Sequence, residues 1–410
     1  MYVTTPISRY LNNPQAAAEP PPEGPGSGIL VVEGEEAVER ASNCWGLCRD
    51  SKIRSLPFPQ SRKARVEYRS EFAFAGEDSV DTADFVESDA VVFVPVVGLP
   101  LSYNRYYVVR AEGKHIGMVS ACSKEEDKTT CCFCSIANDL PPRPFNHGDV
   151  YQQVEVVQLS RGKGFRAKAV AADGVPPKYL RRKGWELRTS SSTRYHSLTE
   201  GAQGADWPLR LRMPDLNSFS VGARNSPPVV VGRWYCPFIF VKDGGGRLKD
   251  QVRRCMFYEM TLEQSWEEIY GRDNAHQGNA GNNPPEVAVR ATVRRSTALL
   301  GGTDAVQEGR PQVVDGVLWF RPATSSASAG LGLDMVVWER MKWELERGGW
   351  AAGGDDMERI ERVERREGLG WWDKFGCYLL VERFVLRRMD GSLALTYDFR
   401  HTDKIRSKWA

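Results

Sequence analysis

Short runs of β-branched and aromatic residues, separated by breaks rich in glycine and proline, recur along most of the chain, and this pattern predicts strands. Residues 29–32, 91–97 and 105–110 are such runs, and Glu112-Gly113 offers a tight turn that leads the last of them back into 116–120. Residues 151–159 and 164–171 form another pair, divided by Arg161-Gly162-Lys163. Gly232 and Pro237 interrupt the run at 229–241, which predicts an edge strand or a bulge. Met256, Tyr258, Met260 and Leu262 alternate with Phe257, Glu259, Thr261 and Glu263, the period of a strand with one apolar face. From Thr261 to Tyr270 two readings stay open. Thr261 and Gln264 have the spacing of a capping box, and Leu262, Trp266 and Ile269 share a helical stripe.

Near the C-terminus, Asp390-Gly391 between two strand-like runs predicts a hairpin with a two-residue type I′ turn. Counting outward pairs Leu386 with Leu395 and Phe384 with Tyr397 on one face, and Val385 with Thr396 and Arg383 with Asp398 on the other. Apolar residues meet on one side and opposite charges on the other, as a half-buried antiparallel sheet requires. Helical spacing is scarcer. Val38, Ala41, Trp45 and Cys48 lie three or four apart within 36–49, a segment stopped by Leu56-Pro57-Phe58-Pro59-Gln60. Two exposed helices are predicted at 335–347 and 355–366, the second from the i, i+4 pairs Glu358 with Arg362 and Glu361 with Arg365.

The expected fold is therefore α+β, predominantly antiparallel sheet in two lobes with short peripheral helices. Residues 1–28 are expected to be a flexible leader, because 16–28 carries three consecutive prolines and little to bury. A β-rich lobe over 29–190, a connecting segment over 191–228 rich in Ser, Asn, Gly and Pro, and a second β-rich lobe with peripheral helices over 229–410 follow. Tyr106-Tyr107 and Trp234-Tyr235 hint at a duplication, but no repeat period supports it.

Charge narrows the choice of partner. With 55 basic and 53 acidic residues the formal net charge is +2, too small for a global field that draws in nucleic acid or anionic lipid. No secretory pattern opens the chain, and the longest apolar runs, such as 90–99, fall far short of a bilayer span. Nine cysteines, an odd number spread along a long chain, point to free thiols in a reducing compartment. The expected location is the cytoplasm or nucleus, and the expected partner another protein.

Candidate chemistry is sparse. No phosphate-cradling loop and no nucleophile elbow occurs, and His115, His147, His196, His276 and His401 are scattered. Cys131 and Cys134 have the C-x2-C spacing of metal ligands, with Cys122 nearby and Cys44 and Cys48 as candidates to complete a set. Adjacent Cys131 and Cys132 would point to opposite sides of a strand, and buried thiols are the commoner use of such residues. Arg166, Lys168, Lys178, Arg181, Arg182 and Lys183, interleaved with Tyr179 and Trp185, form the best basic and aromatic patch. Stems covering neighbouring apolar surface explain it as well. Glu259 and Glu263 are too far apart on a strand for a coupled acid pair. Trp343, Trp350, Trp371 and Trp372 fit a groove or, more commonly, core packing. No residue is assigned a catalytic, cofactor-binding or metal-binding role, and no cofactor is implied.

Several blocks together carry a resemblance: PPEGPGSG, CWGLC, LPFPQ, NRYYVV, CSKEED, CCFC, KYLRRKGWE, GRWYCPFIFVKD, FYEMTLEQSWEEI and VERFVLRRMDGSLALTYDF. Over nearly its whole length the chain resembles a land-plant family known as domain of unknown function 1262. The resemblance implies a plant source and an intracellular protein, and brings no catalytic or ligand residues with it. An insecticidal-crystal-toxin name is attached to some such proteins, and nothing in the residues points to pore formation. The function expected is non-enzymatic binding or interaction, with specificity on loops and aromatic strand faces and a stress or defence setting. The alternatives are an enzyme with a dispersed hydrolytic or thiol-dependent site using His115 or His147, and a membrane-surface or nucleic-acid module built on the patch at 178–183.

Overall fold

The computed structural model describes residues 1–33, 42–43, 48–49, 52–75, 80–131, 134–189, 198–244, 247–274, 285–305, 312–322, 330–351, 353, 356–366 and 371–410. The helix expected at 36–49 lies almost wholly outside them, as do His196 and His276. The protein is mostly β, with several antiparallel sheets and short helices, the longest described helix being Met335–Arg347. The chain forms two compact units: residues 1–202, 235–242 and 246–258, and residues 203–234, 243–245 and 259–410.

In the first unit, a seven-stranded antiparallel sheet runs in the order Phe165–Ala169, Gln153–Gln158, Arg105–Arg110, Val80–Pro95, Ala64–Ala75, Glu186–Thr189 and Lys52–Ile53. Gln153–Gln158 pairs with Phe165–Ala169 as expected, but the return through Glu112-Gly113 forms no strand: residues 116–120 meet Arg105–Arg110 through the bridge Val109 to Val119, and Arg105–Arg110 pairs instead with Val80–Pro95. The core-facing positions carry Val91, Phe93, Tyr106, Val108, Val154 and Val156, over which Phe58, Phe165 and Trp185 close. Phe58 alone touches four other rings in this cluster, with centroids 4.9–6.2 Å away.

Residues 1–28 contain a strand that the leader reading misses. Tyr2–Pro6 is largely buried and pairs in parallel with Gly28–Val32, the residues expected to form the first strand. Tyr-Val-Thr-Thr is a β-forming run whose shortness hides it beside the proline-rich stretch. The Tyr2 ring fills the space a Cβ at Gly28 would take, so only glycine fits there.

The second unit is organised by one long hairpin, Lys374–Arg388 with Leu393–Trp409, flanked on one side by Phe257–Asp273 and on the other by Ser296–Leu300. The register is the one counted from the sequence: Leu386 faces Leu395, Phe384 faces Tyr397, Val385 faces Thr396 and Arg383 faces Asp398. The turn differs. Only Gly391 has a positive φ, +83°, and the bonds from Gly391 N–H to Arg388 and from Arg388 N–H to Ser392 close a three-residue loop. A register shift after Leu386 absorbs the extra residue. The sheet is also buried on both faces here, since Val385 and Thr396 are as covered as Leu386 and Leu395. Residues 261–270 are strand throughout, with Leu262, Gln264 and Trp266 turned inward.

At 355–366 the helix expectation fails. Met357–Arg365 is a strand paired along its whole length with Glu286–Arg294. Its charges pair at i, i+2, Arg359 with Glu361 and Arg362 with Glu364, in place of the helical i, i+4 pairs. Ile360 is buried, while Met357 and Val363 face solvent. The alternating Val287, Val289 and Val293 of the partner strand set the period, and tertiary pairing overrides local helix preference.

Met335–Arg347 is helical as expected, with the Asp334 carboxylate accepting from Val336 N–H at 3.0 Å. It is not a surface helix. Val336, Val337, Arg340, Met341, Glu344 and Leu345 form a buried stripe that includes two charges. Arg340 bonds Glu344 at 2.6 Å, and Glu344 lies 3.5 Å from Arg210, whose guanidinium grips Glu382 through two bonds of 2.7 and 2.6 Å. Gln264 donates to Glu382 at 3.0 Å and His401 Nε2 lies 3.2 Å from it. Two cations and two carboxylates thus balance inside the unit. Burial alone would raise the Glu382 carboxyl, but Arg210 and His401 outweigh it and bring it down to about 2.

Candidate functional site

Two strands of the first unit change character at the same level. Along Val80–Pro95 the core-facing positions run Phe93, Val91, Asp89 and Glu87, and along Arg105–Arg110 they run Tyr106, Val108 and Arg110. Side chains two apart share a face, so the face that is apolar core at one end is charged at the other. A cleft of about 290 Å³ opens there. Its walls are Glu87, Asp89, Arg110, His115, Ser120 and Asp139 on one part, and Leu140, Pro142, Pro177, Lys178 and Tyr179 on the rest.

Tyr179 forms the floor. The short helix Lys178–Arg181 holds it against the core beside the fully buried Leu180, and its hydroxyl lies 2.7 Å from Ser120 Oγ. Arg110 lies over the Tyr179 ring, 5.0 Å from the centroid, and donates to Asp89. Burial pushes the Tyr179 hydroxyl up against the pull of Arg110 and Ser120. Burial would lower the Arg110 guanidinium, but Tyr179 and Asp89 together raise it. Arg110 therefore stays a fixed cation and Tyr179 a neutral hydroxyl.

The remaining charges answer one another. Glu87 accepts from Arg182 at 2.5 Å and lies 3.6 Å from Lys178 Nζ, while Asp139 caps Lys178 N–H with both carboxylate oxygens at 3.0 Å and lies 3.6 Å from Arg181. The site is a nearly balanced array of fixed donors and acceptors beside a proline wall. Ser120 Oγ shares its hydrogen bond with the Tyr179 hydroxyl, which adds a neutral hydrogen-bonding pair to the charged groups of the cleft.

The structure divides the basic and aromatic patch. Tyr179 packs against the core from the cleft side and Trp185 belongs to it, fully buried with its Nε1–H donated to Leu180. Lys178, Arg181 and Arg182 are engaged by Glu87 and Asp139, while Lys183 and Lys168 are exposed. His115 lines the cleft, whereas His147 does not and His401 belongs to the Glu382 network. Cys131 faces Cys134 across a short two-stranded sheet, Cys44 lies outside the described residues, and Cys122 is buried. Burial, with Asp149 adding to it, pushes the Cys122 thiol up to about 12, so it is held as a neutral thiol. Among the described residues no group of three or more His, Cys, Asp or Glu is placed to hold a metal ion. Glu259 pairs with Arg233 at 3.3 Å. Trp343 stacks with Arg340 and Arg347, Trp350 packs on Phe399, Trp372 is buried and Trp371 is exposed.

Glu87, Asp89, Arg110, Ser120 and Asp139 carry no motif and escape a motif search. The change from apolar to charged residues at constant strand parity is the signal that finds the first three.

The model of a family described as a protein of unknown function, DUF1262, matches residues 23–133, which include Glu87, Asp89, Arg110, His115 and Ser120. No curated protein matches the chain. Among solved structures, the crystal structure of Cry35Ab1 is similar, with 11% identity over 86% of this chain and 90% of that one and a TM-score of 0.41. Among the described residues no helix is long and apolar enough to cross a membrane.

Proposed function

We propose that the protein is a non-enzymatic binding protein whose cleft at Arg110 takes a short segment of a partner protein bearing charged side chains of both signs. The observation that carries this reading is the Arg110, Asp89 and Tyr179 unit, a cation fixed by a carboxylate and a ring in a proline-walled cleft. Preorganised donors and acceptors cost little ordering on binding, and a balanced array favours a balanced ligand over a polyanion. Pairing of Lys178, Arg181 and Arg182 with acids weighs against the nucleic-acid and membrane-surface alternative. The family resemblance goes with an intracellular plant protein, and we propose a stress or defence setting for it.

Calorimetric titration with short peptides tests the reading. Peptides mixing Glu, Arg and Ser should bind, those of one charge sign should bind about tenfold more weakly, and Arg110→Gln should cost the mixed peptides about tenfold. Equal binding of all peptides, no binding, or an unaffected variant would refute it.

A further inference from the structure

The second unit carries a larger cleft, about 650 Å³, between the end of the helix Trp207–Arg212 and the strand Leu393–Trp409. Leu209, Met213, Leu216 and Val229 give it an apolar wall, and Arg212 and Arg406 both reach into its lining. Neither arginine has a carboxylate partner among the described residues. Arg406 lies over the buried ring of Trp266, 5.5 Å from its centroid, which fixes the cation without neutralising it. Asp215, the one acid of the lining, accepts from Asn217 N–H at 2.9 Å and bends its own loop.

That loop is built with care. Met213 has φ 60° and ψ 162°, a conformation that residues with side chains avoid at a cost of about 1–3 kcal/mol. It persists because its neighbours are tied down: Trp266 Nε1–H donates to the Pro214 carbonyl at 2.8 Å, and Lys408 donates to the carbonyls of Leu216, at 3.0 Å, and Phe219. A fixed loop, an uncovered apolar wall and two cations against a single acid leave a net positive lining, whose complementary ligand chemistry is an anion with an apolar tail.

We infer that this cleft binds a small amphipathic carboxylate, with Arg212 and Arg406 holding the carboxylate and Leu209, Leu216 and Val229 covering the tail. The site is independent of the one at Arg110. Calorimetry with hexanoate, hexanamide and acetate as probes tests it. Hexanoate should bind, hexanamide and acetate should each bind at least about tenfold more weakly, and Arg212→Gln and Arg406→Gln should each weaken hexanoate about tenfold. Arg212→Lys and Arg406→Lys, which keep the charge, should retain part of the affinity, and urea melts of all four variants should match the parent. The inference is overturned if hexanoate does not bind, if hexanamide binds as well, or if the Gln variants bind hexanoate like the parent while melting normally.

Discussion

Arg110 with Asp89 and Arg210 with Glu382 are chemically the same device, a guanidinium paired with a carboxylate and laid against an aromatic ring. Their surroundings separate their roles. The Arg110 and Asp89 side chains keep 21% and 26% of their exposure, whereas those of Arg210 and Glu382 keep 2% and 0%. A pair about a quarter exposed loses part of its attraction to solvent screening and adds little to stability, but can still meet a ligand. A buried pair meets no ligand, and losing one partner strands a charge in the interior. The identity of a pair says less about its role than its depth.

The largest expected effect follows from stranding Arg210. Glu382→Gln should destabilise the second unit by about 3 kcal/mol or more, read from urea unfolding followed by tryptophan fluorescence. A shift under about 1 kcal/mol would mean that the buried network is not structural. Gly348→Ala should come next, at about 1–3 kcal/mol, because the new Cβ would meet the Arg210 guanidinium and lie 2.9 Å from Glu382 Oε2. Its φ of −73° suits any residue, so a loss would report the contact and a neutral result would show that Arg210 can move aside.

The network should also show in acid. The Glu382 carboxyl titrates at about 2 in the folded protein against about 4.3 in an unfolded chain, so the folded state favours its charged form. The stability this contributes is complete above the unfolded value and is lost as pH falls from there toward 2. Urea midpoints across this window should fall more steeply for the parent than for Glu382→Gln, and parallel curves would contradict the assignment. The smallest effect belongs to the cleft: Asp89→Asn should change stability by less than about 1 kcal/mol, and a larger loss in the same melt would make that pair structural too.

The sequence disclosed most where pattern and pairing agree. In the C-terminal hairpin a turn signal and alternating apolar residues fix the register from Leu386 and Leu395 outward, and the bulged turn leaves those pairs unchanged. Met357–Arg365 was illegible because its Glu and Arg spacing suits a helix equally well, and only the partner strand Glu286–Arg294 decides. Buried Arg340 and Glu344 were missed for a related reason, since charges on a helix read as a solvent face until their partners are known. The cleft at Arg110 assembles from four separate stretches of the chain, and its residues lie in no local motif. Of the candidate residues that the sequence marks, His115, Lys178 and Tyr179 line it, with Arg181 and Arg182 holding its acids.

The claim that the cleft's charges serve recognition and the buried ones serve the fold meets its most direct test in one experiment: urea unfolding of the parent and of Arg110→Gln, each with and without the mixed-charge peptide. Without peptide the two should melt within about 1 kcal/mol of each other, and at one peptide concentration well above both dissociation constants the parent should gain about 1.4 kcal/mol more than the variant, which is the tenfold difference in affinity. An Arg110→Gln variant that melts early without peptide, or a peptide that stabilises both proteins equally, would contradict it.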